Sequence, residues 1–246
     1  MVKNKVYIVL LLVSLSDLQG QSYSRQIYDA FIDSRMDRWE SVMEEMEEVA
    51  EVTGSRQILY ELVVARYGYI AYCISMERDR EAKTHVKKAE EEIETLLASG
   101  YNRARVLALQ GAVYGYKVGL APYKAVIFGR RALDANKEAM ELSPRDPQII
   151  MEKANIELYK PTVFGDARED AVRHYKEAID LYEENPEAID HNWLYLNALS
   201  GLASAYIETE HYREADEVYR KILRIEPGFK WIREEVYPEF REKYME

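Results

Sequence analysis

Residues 199–227 read LSGLASAYIETEHYREADEVYRKILRIEP and carry the most regular helical pattern of the chain. Two sets of residues recur at the spacing of one helix face: Leu202, Ala203 and Tyr206, then Ala215, Tyr219 and Ile222. The small residue of each set lets two helices approach closely, and the aromatic residue fills the groove beside it. Pro227 then ends the second helix, because proline has no backbone N–H to donate. The stretch therefore predicts a closely packed helical hairpin.

This hairpin resembles the signature of the tetratricopeptide repeat (TPR) family, in which a large, a small and an aromatic residue are followed by Ala, an aromatic residue and Pro. Partial copies of the second-helix pattern begin at Trp39, Ala82, Ala132 and Ala171, so the resemblance covers nearly all of the chain after its N-terminus. It implies an all-α superhelix, a right-handed solenoid of about five TPR-like helical hairpins with a C-terminal capping helix.

The repeats depart from the family in length. Each second-helix position lies further from the next than the family period of about 34 residues. We therefore expect elongated or interrupted repeats. One long second helix is predicted over residues 122–142, and an inserted loop is predicted over Lys160–Asp166.

Apolar residues at three- and four-residue spacing predict helices along the whole chain, with breaks at Gly and Pro. The predicted segments are 22–34, 36–51, 58–75, 79–98, 102–119, 122–142, 147–159, 167–184, 191–208, 211–225 and 229–243. Their short connections predict antiparallel neighbours.

Residues 1–20 differ from the rest. Lys3 and Lys5 precede an apolar run that ends at Leu15, and Gly20 follows as a small residue, which is the pattern of a secretory signal peptide. A transmembrane anchor is the alternative, but spanning a bilayer needs roughly 20 apolar residues. We expect cleavage near Gly20. Residues 21–246 would then form one soluble domain, periplasmic or secreted, without stable membrane insertion.

The charge of the chain excludes one class of function. Its formal net charge is −11, with 44 acidic residues against 33 basic ones. An extended nucleic-acid surface requires a concentrated Lys/Arg patch, so we expect no nucleic-acid partner. Cys73 is the single cysteine, so an exported chain must be held together by helix packing and not by an internal disulfide.

Two His/Glu pairs are candidate metal half-sites, His174 with Glu177 and His211 with Glu214, because each pair lies on one helix face. Two ligands do not make a site, and charged residues at the start of a second helix normally face water. No motif of a metalloprotease, hydrolase or nucleotide-binding loop is present, and Cys73 lies in an apolar helix. We expect no cofactor, no metal and no catalytic activity.

Three glycines, Gly111, Gly115 and Gly119, follow one another at four-residue intervals on one helix face. Glycine weakens a helix interior by about 1 kcal/mol, a loss that close packing compensates. We favour tight helix packing for all three. A ligand cleft is the alternative.

In a TPR-like array the first helices of the hairpins line the concave surface. By register, the candidate partner-binding residues are Tyr28, Tyr67, Arg105, Tyr116, Asn155, Tyr159 and Asn197. Tyrosine joins a large apolar body to a hydroxyl group, which suits recognition of peptides or glycans. The alternative is that several of these tyrosines fill space between repeats.

The first hypothesis is a non-catalytic exported scaffold that binds a protein or peptide partner in its concave groove, in envelope assembly or trafficking. A carbohydrate-binding accessory protein is the second hypothesis, and an enzyme with an unrecognised site is the third. Exposed, coplanar aromatic rings would favour sugar, and a groove that mixes Tyr with Asn and Arg would favour peptide. The sequence indicates no oligomeric state.

Overall fold

The computed structural model describes residues 23–162 and 165–245, so the predicted signal peptide lies outside the described residues, as do two residues of the predicted inserted loop. A first helix, α1, spans residues 23–32. The later α-helices are α2 (Met36–Thr53), α3 (Arg56–Ser75), α4 (Asp79–Ser99), α5 (Arg103–Leu120), α6 (Ala125–Leu142), α7 (Pro147–Tyr159), α8 (Arg168–Glu183), α9 (Pro186–Ile189), α10 (Trp193–Glu208), α11 (Tyr212–Ile225) and α12 (Tyr237–Tyr244).

The helices pair in chain order. α3 packs on α4, α5 on α6, α7 on α8, and α10 on α11, and each hairpin also packs on the next one. α1 and α2, joined by a short turn, form the first hairpin. Residues 23–162 and 165–245 contain helices and turns and no strand. The prediction of an all-α array of TPR-like hairpins is therefore confirmed.

Side-chain caps and glycines set several of the helix ends. The side chain of Ser55 accepts from the backbone of Ile58 at the start of α3, and the Asp146 and Asn192 side chains cap α7 and α10 in the same way. Gly54 and Gly100 end α2 and α4 with φ of +65° and +72°, a left-handed conformation in which glycine carries no steric penalty. These local signals explain why the predicted and observed boundaries of most helices nearly coincide.

The small residues of the repeat pattern lie in the core. Ala82, Ala171 and Ala215 are fully buried, and Ala132 is almost fully buried. Ala203, on the first helix of the last hairpin, is fully buried as well. These alanines leave room for the neighbouring helix to approach, as the repeat signature predicts.

The three spaced glycines of α5 do not share one role. A β carbon on Gly111 would lie 3.1 Å from the carbonyl oxygen of Ala132, so this glycine permits the close contact of α5 with α6. A β carbon on Gly115 or Gly119 would meet no atom within 4 Å. Tight packing is therefore correct for Gly111 and wrong for Gly115 and Gly119, whose face of α5 is exposed to solvent.

The first and last hairpins of the array meet through Trp193. Its ring centroid lies 5.8 Å from that of Phe31, 5.1 Å from that of Trp39 and 6.2 Å from that of Tyr67. Gly68 makes room for this contact, because a β carbon there would lie 2.8 Å from Trp193 and 2.9 Å from Trp39. The superhelix is thus closed by aromatic packing between residues far apart in sequence.

Two predicted helices are interrupted. The segment 122–142 begins with a 3₁₀ turn, Pro122–Lys124, because Ala121 before the proline has φ of −149° and cannot continue α5. The C-terminal helix contains a π-helical segment, Ile232–Val236, ahead of α12.

In the described part of the chain, no helix has the length and apolar character required to cross a membrane.

Candidate functional site

The inner face of α7 carries a hydrogen-bonded network centred on Asn155. Its Nδ2 donates to the Tyr67 hydroxyl at 3.2 Å and to Glu152 Oε2 at 3.0 Å, and its Oδ1 accepts from the Tyr175 hydroxyl. The Tyr116 ring lies 5.6 Å from the Tyr67 ring, between centroids. We call these five residues the inner cluster. It joins α3, α5, α7 and α8 in the interior of the array.

Burial determines the charge of the inner cluster. Glu152 is 1% exposed, and this burial raises the pKa of its carboxyl group to about 7, although hydrogen bonds from Asn155 and Tyr67 act in the opposite direction. Burial likewise raises the pKa of Tyr67, Tyr116 and Tyr175 well above the ordinary value. The tyrosines therefore remain neutral hydrogen-bond donors. They serve to hold geometry and do not supply a base.

A second group of polar residues connects the start of α7 to α3 and α5. Arg105 Nε donates to Asp146 Oδ2 at 2.6 Å, and the Tyr60 hydroxyl donates to Gln148 Oε1 at 2.9 Å. The Asp146 carboxylate also caps α7. The positive charge of Arg105 is thus neutralised within the chain, and its side chain fixes α5 to the start of α7.

Tyr159 lies at the exposed edge of the inner cluster. It follows Asn155 by one helical turn, so both side chains share one face of α7, and Tyr159 is 73% exposed. It lies close enough to Tyr116 and Tyr175 that a charge on its hydroxyl would raise the pKa of both. Asn197 is half-buried on α10, which packs against α7. We call Tyr116, Asn155, Tyr159 and Asn197 the inner rim, because each keeps an exposed portion of its side chain.

The seven predicted residues therefore divide into three groups. Tyr67, Tyr116, Asn155 and Tyr159 lie together, and Asn197 lies on the adjoining α10. Arg105 belongs to the neighbouring group at the start of α7.

Tyr28 is elsewhere and 7% exposed. Its hydroxyl donates to Glu226 Oε2 at 2.8 Å, and its ring meets that of His191 edge-on, with 5.2 Å between centroids. It therefore joins the first hairpin to the last one.

Sequence reasoning missed Glu152 and Tyr175. Glu152 precedes Asn155 by three residues, so the register that selected Asn155 also places this carboxylate on the same helix face. Tyr175 matches the aromatic position of the repeat pattern that begins at Ala171. That position signals packing and gives no indication of a hydrogen bond to another hairpin.

One group of side chains has the spacing of a metal site. Glu40, Glu81 and His85 place ligand atoms within 4.8 Å of one another. Arg66, which is 1% exposed and paired with Glu92, directs Nη1 to His85 Nδ1 at 3.0 Å. Arginine can only donate, so the His85 proton must lie on Nε2, and burial and the Arg66 charge lower the pKa of His85 to about 4. This arrangement disfavours a cation, because Nδ1 already accepts from Arg66, Nε2 carries the proton and the guanidinium charge would repel a metal ion.

The predicted metal half-sites are not assembled as pairs. The His174 Nδ1 atom lies 2.6 Å from Glu157 Oε2 and the imidazole is buried, whereas Glu177 is exposed to solvent. His211 bonds to Thr209 on the surface, beside the exposed Glu214. Each histidine has a partner other than the one that the spacing indicated.

Cys73 is buried in α3, with its sulfur 3.6 Å from Glu81 Oε1. Burial and the adjacent carboxylate raise the pKa of the thiol to about 12. The thiolate is the nucleophilic form, so this environment is unsuited to covalent catalysis.

Two solved structures share the architecture. The chain is similar to the HusA haemophore from Porphyromonas gingivalis, with a TM-score of 0.63 and 18% identity over 77% of this chain and 93% of that one. It is also similar to a thermophilic TPR protein from Thermus thermophilus, with a TM-score of 0.59 and 18% identity over 92% of this chain and 97% of that one. No family model and no curated sequence matches the chain. At these identities the likenesses show the fold alone, a TPR-like helical array.

Proposed function

We propose that this protein is a non-catalytic exported scaffold that binds an extended segment of a protein partner along the inner rim, in envelope assembly or trafficking. The observation that carries the proposal is the position of Tyr159. A 73% exposed aromatic side chain borders a buried network in which Asn155 holds Tyr67 and Tyr175. A large ring at the edge of a rigid surface is the type of residue that anchors protein partners.

The inner cluster holds its side chains in a fixed arrangement. Asn155 bonds to three neighbours of the inner cluster, so its side chain is ordered before any partner arrives. Binding to an ordered surface avoids the entropy cost of fixing rotamer-rich side chains. Tyr28, Tyr67 and Arg105 would contribute by supporting this surface from within.

The chemistry of the inner rim supports peptide over sugar. Tyr159 lies one turn of α7 from Asn155, and Asn197 lies on the adjoining α10. The amide side chains of these two asparagines offer donors and acceptors to a peptide backbone. The TPR-like fold also supports a peptide partner, since arrays of this kind commonly present extended concave binding surfaces.

Selection of peptides from a random phage-displayed library on the immobilised protein tests the proposal. We expect the selected peptides to lose affinity about 30-fold, the equivalent of about 2 kcal/mol, when Tyr159→Ala and Asn197→Ala are combined. Tyr123→Ala is the matched control, because Tyr123 is 84% exposed but lies outside the inner rim. Circular dichroism verifies that both variants are folded. Peptides that bind the folded double variant with wild-type affinity would contradict the proposal.

Binding of haem is a second candidate. The structural neighbour from Porphyromonas gingivalis is named a haemophore, and a tyrosine oxygen can ligate haem iron. Tyr123 is the residue that favours this candidate, because it is 84% exposed and the Lys124 ammonium, 5.6 Å from the ring centroid, could meet a propionate.

Absorbance titration with hemin tests this second candidate. A Soret shift that Tyr123→Phe abolishes would support it, with Tyr159→Phe as the matched control. A spectrum equal to that of free hemin would exclude it.

A further inference from the structure

The connection between α5 and α6 exposes a group of apolar side chains. Tyr123 is 84% exposed, Val126 is 74% exposed and Ile127 is 56% exposed. They lie on the 3₁₀ turn and the first turn of α6, at the end of the α5–α6 hairpin. We call residues 119–131 the hairpin tip. Contiguous exposed apolar groups of this kind mark interaction sites more often than isolated ones do.

The charge of this region is opposite to that of the chain. Residues 106–133 contain four basic residues and no acidic one, whereas the whole chain has a net charge of −11. Arg130 is exposed. Its Nε atom lies 3.8 Å from Asp134 Oδ2, which is near the longest distance for an ion pair. Lys124 and Arg131 form no ion pair with any residue that the structure describes. Their positive charge is therefore available to an external anion.

The exposed residues of the hairpin tip have no packing role that would explain them. α6 packs against α7. This contact involves the later part of α6, where Asn136 Nδ2 donates to the Ile149 carbonyl at 3.3 Å. On the tip itself, β carbons added at Gly119 or Gly129 would meet no atom within 4 Å.

We propose that the hairpin tip docks on the surface of a membrane that contains anionic lipids. The apolar side chains lie at a projecting end and not in a groove, so they can enter the headgroup region without a complementary protein surface. Tyr123 combines an apolar ring with a hydroxyl that suits the boundary between lipid and water. The adjacent cations attract anionic headgroups, and the acidic remainder of the chain is repelled, which orients the tip toward the membrane.

The charge pattern favours an anionic membrane as the partner of the hairpin tip. Lys124, Arg130 and Arg131 interleave with the apolar residues on the exposed side of the first turns of α6, and long basic side chains can extend to headgroups while their stems remain in the apolar layer. Weak apolar insertion and electrostatic attraction act together at such surfaces, and neither is sufficient alone. This inference is independent of the inner rim, which lies on other residues.

Cosedimentation of the full chain with vesicles tests the inference. Vesicles of phosphatidylcholine with phosphatidylglycerol should bind the protein, pure phosphatidylcholine vesicles should not, and added salt should release it. Equal sedimentation with both vesicle types, or none with the anionic ones, would overturn the inference.

Variants locate the contact. Combined Tyr123→Ser, Val126→Ser and Ile127→Ser should lower the partition coefficient about tenfold or more, and the combined Gln variant of Lys124, Arg130 and Arg131 should lower it similarly. Val52→Ser with Met76→Ser is the control, because these side chains are 87% and 57% exposed outside the tip. Tyr123→Phe should still bind vesicles. Vesicle binding unchanged by both tip variants would overturn the inference.

Partners other than a membrane would give different results in these experiments. Concentration-dependent dimerisation without vesicles, lost in the tip variants and accompanied by no vesicle binding, would assign the tip to a second copy of the chain. Tip-dependent binding of polyglutamate, again with no vesicle binding, would assign it to an acidic polypeptide. Either result overturns the membrane inference and leaves the inner-rim proposal untouched.

Discussion

The ring of Tyr175 lies directly against the backbone of Gly201, so a β carbon on Gly201 would be 2.5 Å from the ring atom Cε1 and 2.7 Å from the hydroxyl oxygen. This contact brings α8 and α10 together. The ring cannot turn aside freely, because Tyr175 is 1% exposed and its hydroxyl donates to Asn155. The glycine thus supports the inner cluster from behind.

We predict that Gly201→Ala lowers the free energy of unfolding by about 1–3 kcal/mol, because the new methyl group must displace Tyr175. Gly115→Ala is the matched control at an exposed position of α5, where the new methyl group meets open space. That variant should be stabilised by about 0.5–1 kcal/mol through the higher helix propensity of alanine. Urea denaturation of both variants measures the difference. A shift of the same sign in both would contradict the assigned contact.

The buried carboxyl group of Glu152 makes stability depend on pH. Its pKa is raised from 4.5 to about 7 in the folded protein, so the folded state holds a proton that the unfolded state has released between these values. The contribution of this group to stability is therefore full below about pH 4.5 and is lost as the pH rises toward 7.

Glu152→Gln keeps one side-chain oxygen as a hydrogen-bond acceptor and replaces the ionisable carboxyl group by an amide that does not titrate. We predict that its stability relative to the wild type increases from about pH 5 to about pH 8, by an amount on the order of 3 kcal/mol. Denaturation of both proteins at the two pH values gives the difference directly. A difference that is constant with pH would show that Glu152 titrates normally.

Ala203 and Ala215 occupy the small-residue positions of the hairpin whose sequence best matches the repeat pattern, and both are fully buried. We predict that Ala203→Leu and Ala215→Leu each destabilise the protein by about 1–3 kcal/mol, because the larger side chains push α10 and α11 apart. Ala71→Leu, at an exposed position of α3, is the control. Melting temperatures that do not change in either core variant would contradict the register.

The sequence predicts those parts of the fold that depend on local chemistry. The predicted and observed bounds of α7 agree, because Asp146 before Pro147 is a strong helix start and Pro161 follows the end. The short helix α9 was missed, although Asn185 before Pro186 is a start signal of the same kind. Its four residues are too few to show a helical period.

The contacts between distant residues could not be predicted from spacing. Trp193 meets Trp39 across most of the chain, and no periodicity relates the two positions. The inner cluster could not be predicted from spacing either, because Asn155 forms hydrogen bonds with Tyr67 and Tyr175, which lie on two other helices. The register indicated that Tyr67 and Asn155 face inward. The burial of Tyr67, and the exposure of Tyr159, follow from how closely the helices of the array pack.

Photo-crosslinking from position 159 tests whether the inner rim contacts a protein partner. The photoreactive residue p-benzoylphenylalanine would replace Tyr159 and, in a control protein, the exposed Glu44 on α2. Each protein is irradiated in the exported fraction of its native host, with and without a peptide selected on the wild-type protein. We predict protein adducts from position 159 that the peptide suppresses, and few from position 44. Adducts from position 44 and none from position 159 would contradict recognition by the inner rim.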